Sequence, residues 1–284
     1  METWGERAYD RKKNTARDHV HLAQDVGRHS SMMAGTDSRG LFRVHSITKR
    51  ASVREVLADM PILQGSDPRV LDILASEAAF VRFSPSASIF ERGSVPTGIF
   101  FVCSGAVRLM SHGPEGRPKV VEIFETGGMF GEIGVFTGHR YRTWTQAVGT
   151  ALLIHVPRER ILEAVALDAA LSNRMLEAVC ARIQRLIDAI SCTAAGTASV
   201  RVVSYLLDQY DRLERPEAGV ILPAPKKTIA SLLNLTPETF SRVLRSLVED
   251  ELLSVTGRRI RVRNRSQLAR LLECAAAESQ PAEG

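Results

Sequence analysis

Between residues 226 and 247 the chain reads KKTIASLLNLTPETFSRVLRSL, with apolar positions at Ile229, Leu232, Leu233 and Leu235, then at Phe240, Val243, Leu244 and Leu247. Each set fits one face of a short helix. Asn234 lies between the sets, and Asn enters the left-handed turn region more readily than most residues. Thr236 and Pro237 then supply an N-cap hydroxyl and a proline at the first helical position, with the acid Glu238 beside them. The pattern predicts two short helices joined by a tight turn, a helix-turn-helix. A plain helical hairpin would explain the leucines. It would not explain why Glu238, Ser241, Arg242 and Arg245 gather on the polar face of the second helix. Arg suits a guanine edge there, and a carboxylate suits the amino group of cytosine. Residues 252–262 alternate around Gly257 and predict a basic β-hairpin wing.

Upstream the texture differs. Residues 1–52 are polar, mixed in charge and poorly periodic, the composition of a disordered extension. Its His19, His21 and His29 form no metal-ligand spacing beyond an isolated pair. A start at Met32 or Met33 is an open alternative for this region. Residues 53–74 suggest two short helices. From residue 79 to 156, runs such as GIFFVCSG and KVVEIF are punctuated by Gly93, Gly98, Gly105 and Gly127, as in an antiparallel barrel or sandwich. Residues 158–195 then turn helical. Leu176, Ile183 and Ile190 recur every seven residues, with Val179 and Leu186 offset by three and Ile187 beside them. That is an a/d seam for a parallel dimer helix; the alternative is a helix packed only on its own domain. Residues 194–197, around Gly196, read as a hinge before another helix begins.

Composition adds constraints. The chain has 284 residues, enough for about two domains, with no apolar run that would span a bilayer and no secretory block at its start. The four cysteines, Cys103, Cys180, Cys192 and Cys274, are scattered without paired spacing, which suggests reduced thiols and a cytoplasmic protein. Net charge is +5, yet residues 226–265 alone hold nine Lys/Arg against four Asp/Glu. A basic end on an otherwise balanced chain favours a polyanion partner at that end. No catalytic segment remains once two domains are assigned, so no enzyme is expected.

IASLLNLTPETFSRVLRSL followed by LLSVTGRRIRV resembles the C-terminal winged helix of the Crp/Fnr family of bacterial transcription regulators, and the resemblance extends over most of the chain from about Val53. It implies an α+β fold. The expected organisation is an extension (1–52), an antiparallel β-roll sensing an effector (53–167), a dimerisation helix (168–195), a winged helix-turn-helix (196–275) and a flexible tail (276–284). The implied partners are double-stranded DNA, a second copy of the chain and RNA polymerase, with no membrane.

In this family's recognition helix, residues of the types at Glu238, Ser241 and Arg242 mark the Fnr branch. The resemblance implies a half-site TTGAT, inverted as ATCAA. Arg242 would read guanine, Glu238 the paired cytosine and Ser241 the neighbouring thymine. Thr228, Thr239, Arg245, Arg258 and Arg259 would contact phosphate.

The block Gly131-Glu132-Ile133-Gly134-Val135-Phe136, with Arg142-Thr143 following, resembles the phosphate-binding cassette of cyclic-nucleotide-binding domains. Gly131, Glu132, Arg142 and Thr143 are thereby the effector candidates, joined on the dimer helix by Leu186 and Ile187. Nucleotide-responsive members place Thr-Ser at those two positions to bond adenine, which two aliphatic side chains cannot do. PETFSR and the ARIQRLIDAI…SVRVVSYLL stretch carry a rival resemblance, to the Dnr-like branch, which senses nitric oxide through haem, with His112, His139 or His155 as conceivable axial ligands. An iron–sulfur cluster of the Fnr type is not expected, since no cysteine precedes Cys103. Cyclic nucleotide, haem and an effector-independent sensor all stay open at this point. A β-roll that regulates a protein of non-DNA class is the remote alternative.

Overall fold

The computed structural model describes residues 52–113, 116–213, 215 and 218–278. The extension with His19, His21 and His29 and the last residues of the tail lie outside the described residues, as do the side chains of Cys192, Ala194, Ala195 and Cys274.

Ser52 opens helix α1 (Val53–Ala58) with a capping box: its hydroxyl accepts from the Glu55 amide, and its own amide donates to the Glu55 carboxylate. A 3-10 turn, Pro61–Leu63, leads to α2 (Pro68–Ser76), capped by Asp67. Eight strands follow: β1 (Ala79–Phe83), β2 (Ser88–Phe90), β3 (Gly98–Ser104), β4 (Ala106–His112), β5 (Pro118–Glu125), β6 (Met129–Phe130), β7 (Trp144–Ala147) and β8 (Ala151–Pro157). They form two antiparallel sheets, ordered β1-β8-β3-β6 and β2-β7-β4-β5. Strand β3 shows why the sheets close on each other. Its residues are apolar on both faces: Phe100 and Val102 enter the roll interior with Phe124, Phe130 and Leu153. Ile99, Phe101 and Cys103 face the opposite way, into a core with Leu57, Leu74 and Ile161. A strand covered on both sides reads as a continuous apolar run.

Helix α3 (Glu132–Thr137) links β6 to β7, and α4 (Arg158–Leu167) covers the first sheet. The long helix α5 (Ala169–Ala195) follows; its 27 residues span about 40 Å at the usual rise. Its first turns are anchored by Leu171 and Met175 in the helical core. Beyond them it runs with Leu176, Ile183, Ile187 and Ile190 exposed by 62, 51, 49 and 69%.

Thr197 caps α6 (Ala198–Asp211), which begins the C-terminal domain. Strand β9 (Val220–Ile221), helices α7 (Lys226–Leu232) and α8 (Pro237–Glu249), strands β10 (Leu253–Thr256) and β11 (Arg259–Val262), and helix α9 (Arg265–Glu278) complete it. The wing strands pair in the order β10-β11-β9. Ile229, Phe240, Leu244, Leu247, Ile260 and Leu268 meet in one core with Val203 and Leu206 of α6. This domain rests on β5, the edge strand of the second sheet. The Val120 amide donates to Ser231 Oγ of α7 at 3.2 Å, and Ile123 packs against the C-terminal core. Among the described residues no helix is long and apolar enough to cross a membrane.

Candidate functional site

The turn between α7 and α8 forms as the residues dictate. Asn234 takes φ 56°. Thr236 Oγ1 accepts from the Thr239 amide at 3.2 Å, with Pro237 at the first helical position. Arg201 of α6 braces the turn from behind, its guanidinium donating to the Leu233 and Asn234 carbonyls at 3.2 and 3.0 Å. Those carbonyls lie at the C-terminal end of α7, where a cation is favoured. Nothing in the local pattern marks Arg201, because its targets are 32 and 33 residues away.

With Phe240, Val243, Leu244 and Leu247 buried, α8 turns Glu238, Ser241, Arg242 and Arg245 out to solvent. The three proposed base readers share one exposed face. The phosphate candidates divide. Arg245 is exposed, but Thr239 spends its amide and hydroxyl on the Thr236 cap. Arg258 donates from Nε to the Leu222 carbonyl at 2.9 Å, and Arg259 reaches the Ala218 carbonyl at 3.4 Å, so both also fasten the wing. Thr228 corrects the sequence reading: only 3% exposed, its side chain packs inside the domain and is not offered to a phosphate. Its apolar neighbours Ile229 and Ala230 are buried with it, a detail set by how α7 lies against α8 and β5.

The sensor cassette is built as its glycines require. Gly131 takes φ 98° at the start of α3, and a Cβ there would sit 2.9 Å from the Gly98 carbonyl oxygen. Gly134 faces Pro96 and Tyr141 so closely that a Cβ would stand 2.5 Å from Pro96 Cγ. Glu132, 3% exposed, does not face an open site. Its Oε1 accepts from Arg182 Nη1 at 2.5 Å, and its Oε2 is buried with no partner and no solvent access. On the other side of the guanidinium, Arg182 Nε lies 2.5 Å from Glu122 Oε2 of β5. Arg185 stands 3.9 Å from the other Glu122 oxygen. The Arg182 guanidinium also lies over the Phe124 ring, 4.9 Å from its centroid. Phe124, Phe130 and Phe100 stack in series beneath it. Burial pushes the Glu122 carboxyl above the usual carboxylate range, against the opposing pull of Arg182 and Arg185.

Glu132 Oε1 is held by Arg182 while its Oε2 has no partner and keeps its acceptor lone pairs, and a second carboxylate, Glu122, lies on the other side of the same guanidinium. Arg142 is exposed and Thr143 half-buried. A cavity of about 530 Å³ opens between β5, α5 and α6, lined by Glu122, Arg182, Leu186 and Tyr205, and it does not include Gly131, Glu132, Arg142 or Thr143. Leu186 is turned into this cavity, so Ile187 takes its place on the exposed stripe with Leu176, Ile183 and Ile190. Half-buried Val179 lies between the two sides of α5.

The histidines do not gather either. His112 lies 3.0 Å from an Arg92 nitrogen and packs on Trp144. His139 is exposed beyond α3. His155 bonds Thr97 Oγ1 at 3.1 Å and packs on Phe100, and burial holds it below its ordinary pKa. None of the three lines the cavity. Cys103 is buried in the helical core, which pushes its thiol up to about 12, whereas Cys180 is exposed. Among the described residues no group of three or more His, Cys, Asp or Glu is arranged to hold a metal ion.

Comparison with known proteins adds to this geometry. Residues 80–168 match the model of the cyclic nucleotide-binding domain, and residues 200–271 match the Crp-like helix-turn-helix domain. A β-roll followed by a long helix and such a reading head defines a DNA-binding transcription regulator, a class that acts as dimers and is not enzymatic. The chain is similar to the nitrogen fixation regulation protein FixK of Azorhizobium caulinodans, 32% identical over 208 residues, 72% of this chain and 82% of the relative. It also resembles the CRP-like cAMP-activated global transcriptional regulator of Mycobacterium tuberculosis, at 23% identity, covering 76% of this chain and 98% of that protein. The solved structure of FixK2 from Bradyrhizobium japonicum aligns with TM-score 0.62 and 25% identity, over 68% of this chain and 96% of the other. The protein belongs to the Crp/Fnr family.

Proposed function

We propose that the protein is a homodimeric, sequence-specific transcription regulator that reads an inverted repeat of the form TTGAT…ATCAA. The observation that carries this reading is the face of α8, where Glu238, Ser241 and Arg242 are exposed together while Phe240, Val243 and Leu244 lock the helix into its domain. Arg242 bonds guanine bidentately, Glu238 accepts from the amino group of the paired cytosine and Ser241 meets the adjacent thymine. Arg245, Arg258 and Arg259 set register on the phosphates. The apolar stripe of α5 pairs two copies, so that two recognition helices address two half-sites about one helical turn apart. RNA polymerase is the further partner that a promoter-bound regulator of this kind would meet.

Fluorescence anisotropy with a labelled TTGAT…ATCAA duplex at fixed salt tests the reading. Specific binding, lost on a duplex with both half-sites scrambled, supports it; equal affinity for the two duplexes overturns it. Salt is held constant because the electrostatic share of affinity changes steeply with it.

A second reading concerns the sensor. The bridge of Glu122, Arg182 and Glu132, made of the chain's own side chains, supports a β-roll that holds α5 without a diffusible nucleotide, and none of His112, His139 and His155 lines the cavity as a haem ligand. The protein would then bind its operator constitutively. Unchanged anisotropy with saturating cyclic AMP is the expected result.

A further inference from the structure

In the wall of the sensor one guanidinium is shared by two carboxylates, and only one of the two belongs to the cyclic-nucleotide cassette. We propose that Glu122 is a built-in effector: its carboxylate, fixed on β5, binds Arg182 and holds the dimer helix against the sensor sheet with no nucleotide present. This rests on the reading of α5 as the element that carries the sensor's state to the DNA-binding domain, and it names what sets that state.

The geometry makes Glu122 a structural bridge rather than a surface acid. Its side chain is 17% exposed and that of Arg182 12%, and Nε to Oε2 is 2.5 Å. The two atoms are in ionic contact without hydrogen-bond geometry, and in such a setting a charge stripped of its partner is strongly destabilising. The strand is shaped for the contact. In the ladder, Leu109 pairs with Glu122 and Met110 with Val120, so Val121 is the extra residue of a bulge immediately before Glu122. Bulges re-aim neighbouring side chains.

On the helix, Arg182 and Leu186 are one turn apart and both line the β5 side, while Ile183, Ile187 and Ile190 form the exposed stripe. Fixing Arg182 therefore fixes the rotation of α5, and with it the direction in which the apolar stripe faces a partner helix. Glu132 grips the same guanidinium from α3. Two elements of the sensor thus hold α5 through one side chain, a bridge made entirely of the chain's own residues.

The test uses the full chain, Glu122→Ser, which removes the carboxylate, and Glu122→Gln, which keeps its shape and one oxygen acceptor. Two readouts are taken: anisotropy on the TTGAT…ATCAA duplex with and without saturating cyclic AMP, and hydrogen exchange over residues 176–190. Wild type should bind the duplex equally well in both conditions. Glu122→Ser should lose about tenfold or more in affinity and exchange faster over 176–190, since Arg182 loses a buried partner, with Glu122→Gln in between. A wild type that binds the duplex only with cyclic AMP overturns the proposal while leaving the operator reading intact. So does a folded Glu122→Ser that matches wild type in both readouts. If wild type binds no duplex, the operator reading fails and exchange alone decides: faster exchange in the variant supports the bridge, unchanged exchange overturns it. If Glu122→Ser shows no cooperative melting, the exchange of Glu122→Gln decides in the same way.

Discussion

Arg242 and Glu122 show how differently two charged residues are specified. Arg242 is legible from spacing alone, because a helix with four buried apolar positions leaves its remaining face to solvent, and that face is polar here. Replacing Arg242 by Ala should weaken binding to the intact half-site by about 1–3 kcal/mol and remove discrimination at its guanine. Anisotropy on single-substitution duplexes checks both parts; a variant that still rejects the substituted base would refute the assignment. Glu122 hides in the run KVVEIF, where one acid in an apolar strand looks like a solvated position. Only the approach of α5, 60 residues later in the chain, buries it. Its carboxyl is raised by burial, so between its ordinary value near 4.5 and the raised one the folded chain holds a proton that the unfolded chain has lost. The contribution of this group to stability is therefore greatest at low pH and falls as pH rises through that window. Melting curves taken from pH 4.5 upward should show Glu122→Gln losing less stability with rising pH than wild type. An identical slope in both would mean that the Glu122 carboxyl titrates alike in the folded and unfolded chains.

Elements divide in the same way. The helix-turn-helix is readable because its signals are local: an Asn able to adopt positive φ, a Thr cap and a Pro at the first helical position all lie within the turn itself. Thr236→Ala should cost about 1 kcal/mol by freeing the Thr239 amide, measurable as a lower unfolding midpoint in denaturant with m unchanged. Thr228 shows the limit of such reasoning. Local pattern places it on a helix but does not say which side meets α8 and β5. The bulge in β5 and the bracing of the turn by Arg201 are likewise invisible in their own segments, since both depend on a neighbour far along the chain. Helix α5 is intermediate. Heptad spacing shows an apolar seam, yet the chain's own β5 and α6 claim Leu186, and Ile187 joins the exposed stripe instead.

For the whole molecule, that stripe is the face proposed for a second copy. A substitution of Ile183, half exposed within one chain, leaves the two domain cores untouched. Ile183→Glu should therefore shift sedimentation from dimer to monomer while each chain stays folded, and should weaken operator binding because single half-sites bind less tightly. A stable dimer in this variant would mean that pairing uses another surface. What the sequence by itself determined is the α+β class, the family and the recognition helix, since each rests on residues close together in the chain whose periodicity and turn chemistry are local properties. What only the tertiary structure decided is which groups surround the sensor cassette. A cassette motif says which residues can meet a nucleotide, but whether they do depends on the groups that distant segments bring against them. Here β5 and α5 bring Glu122 and Arg182 against the cassette, so that Glu132 has one oxygen on a guanidinium and the other without a partner.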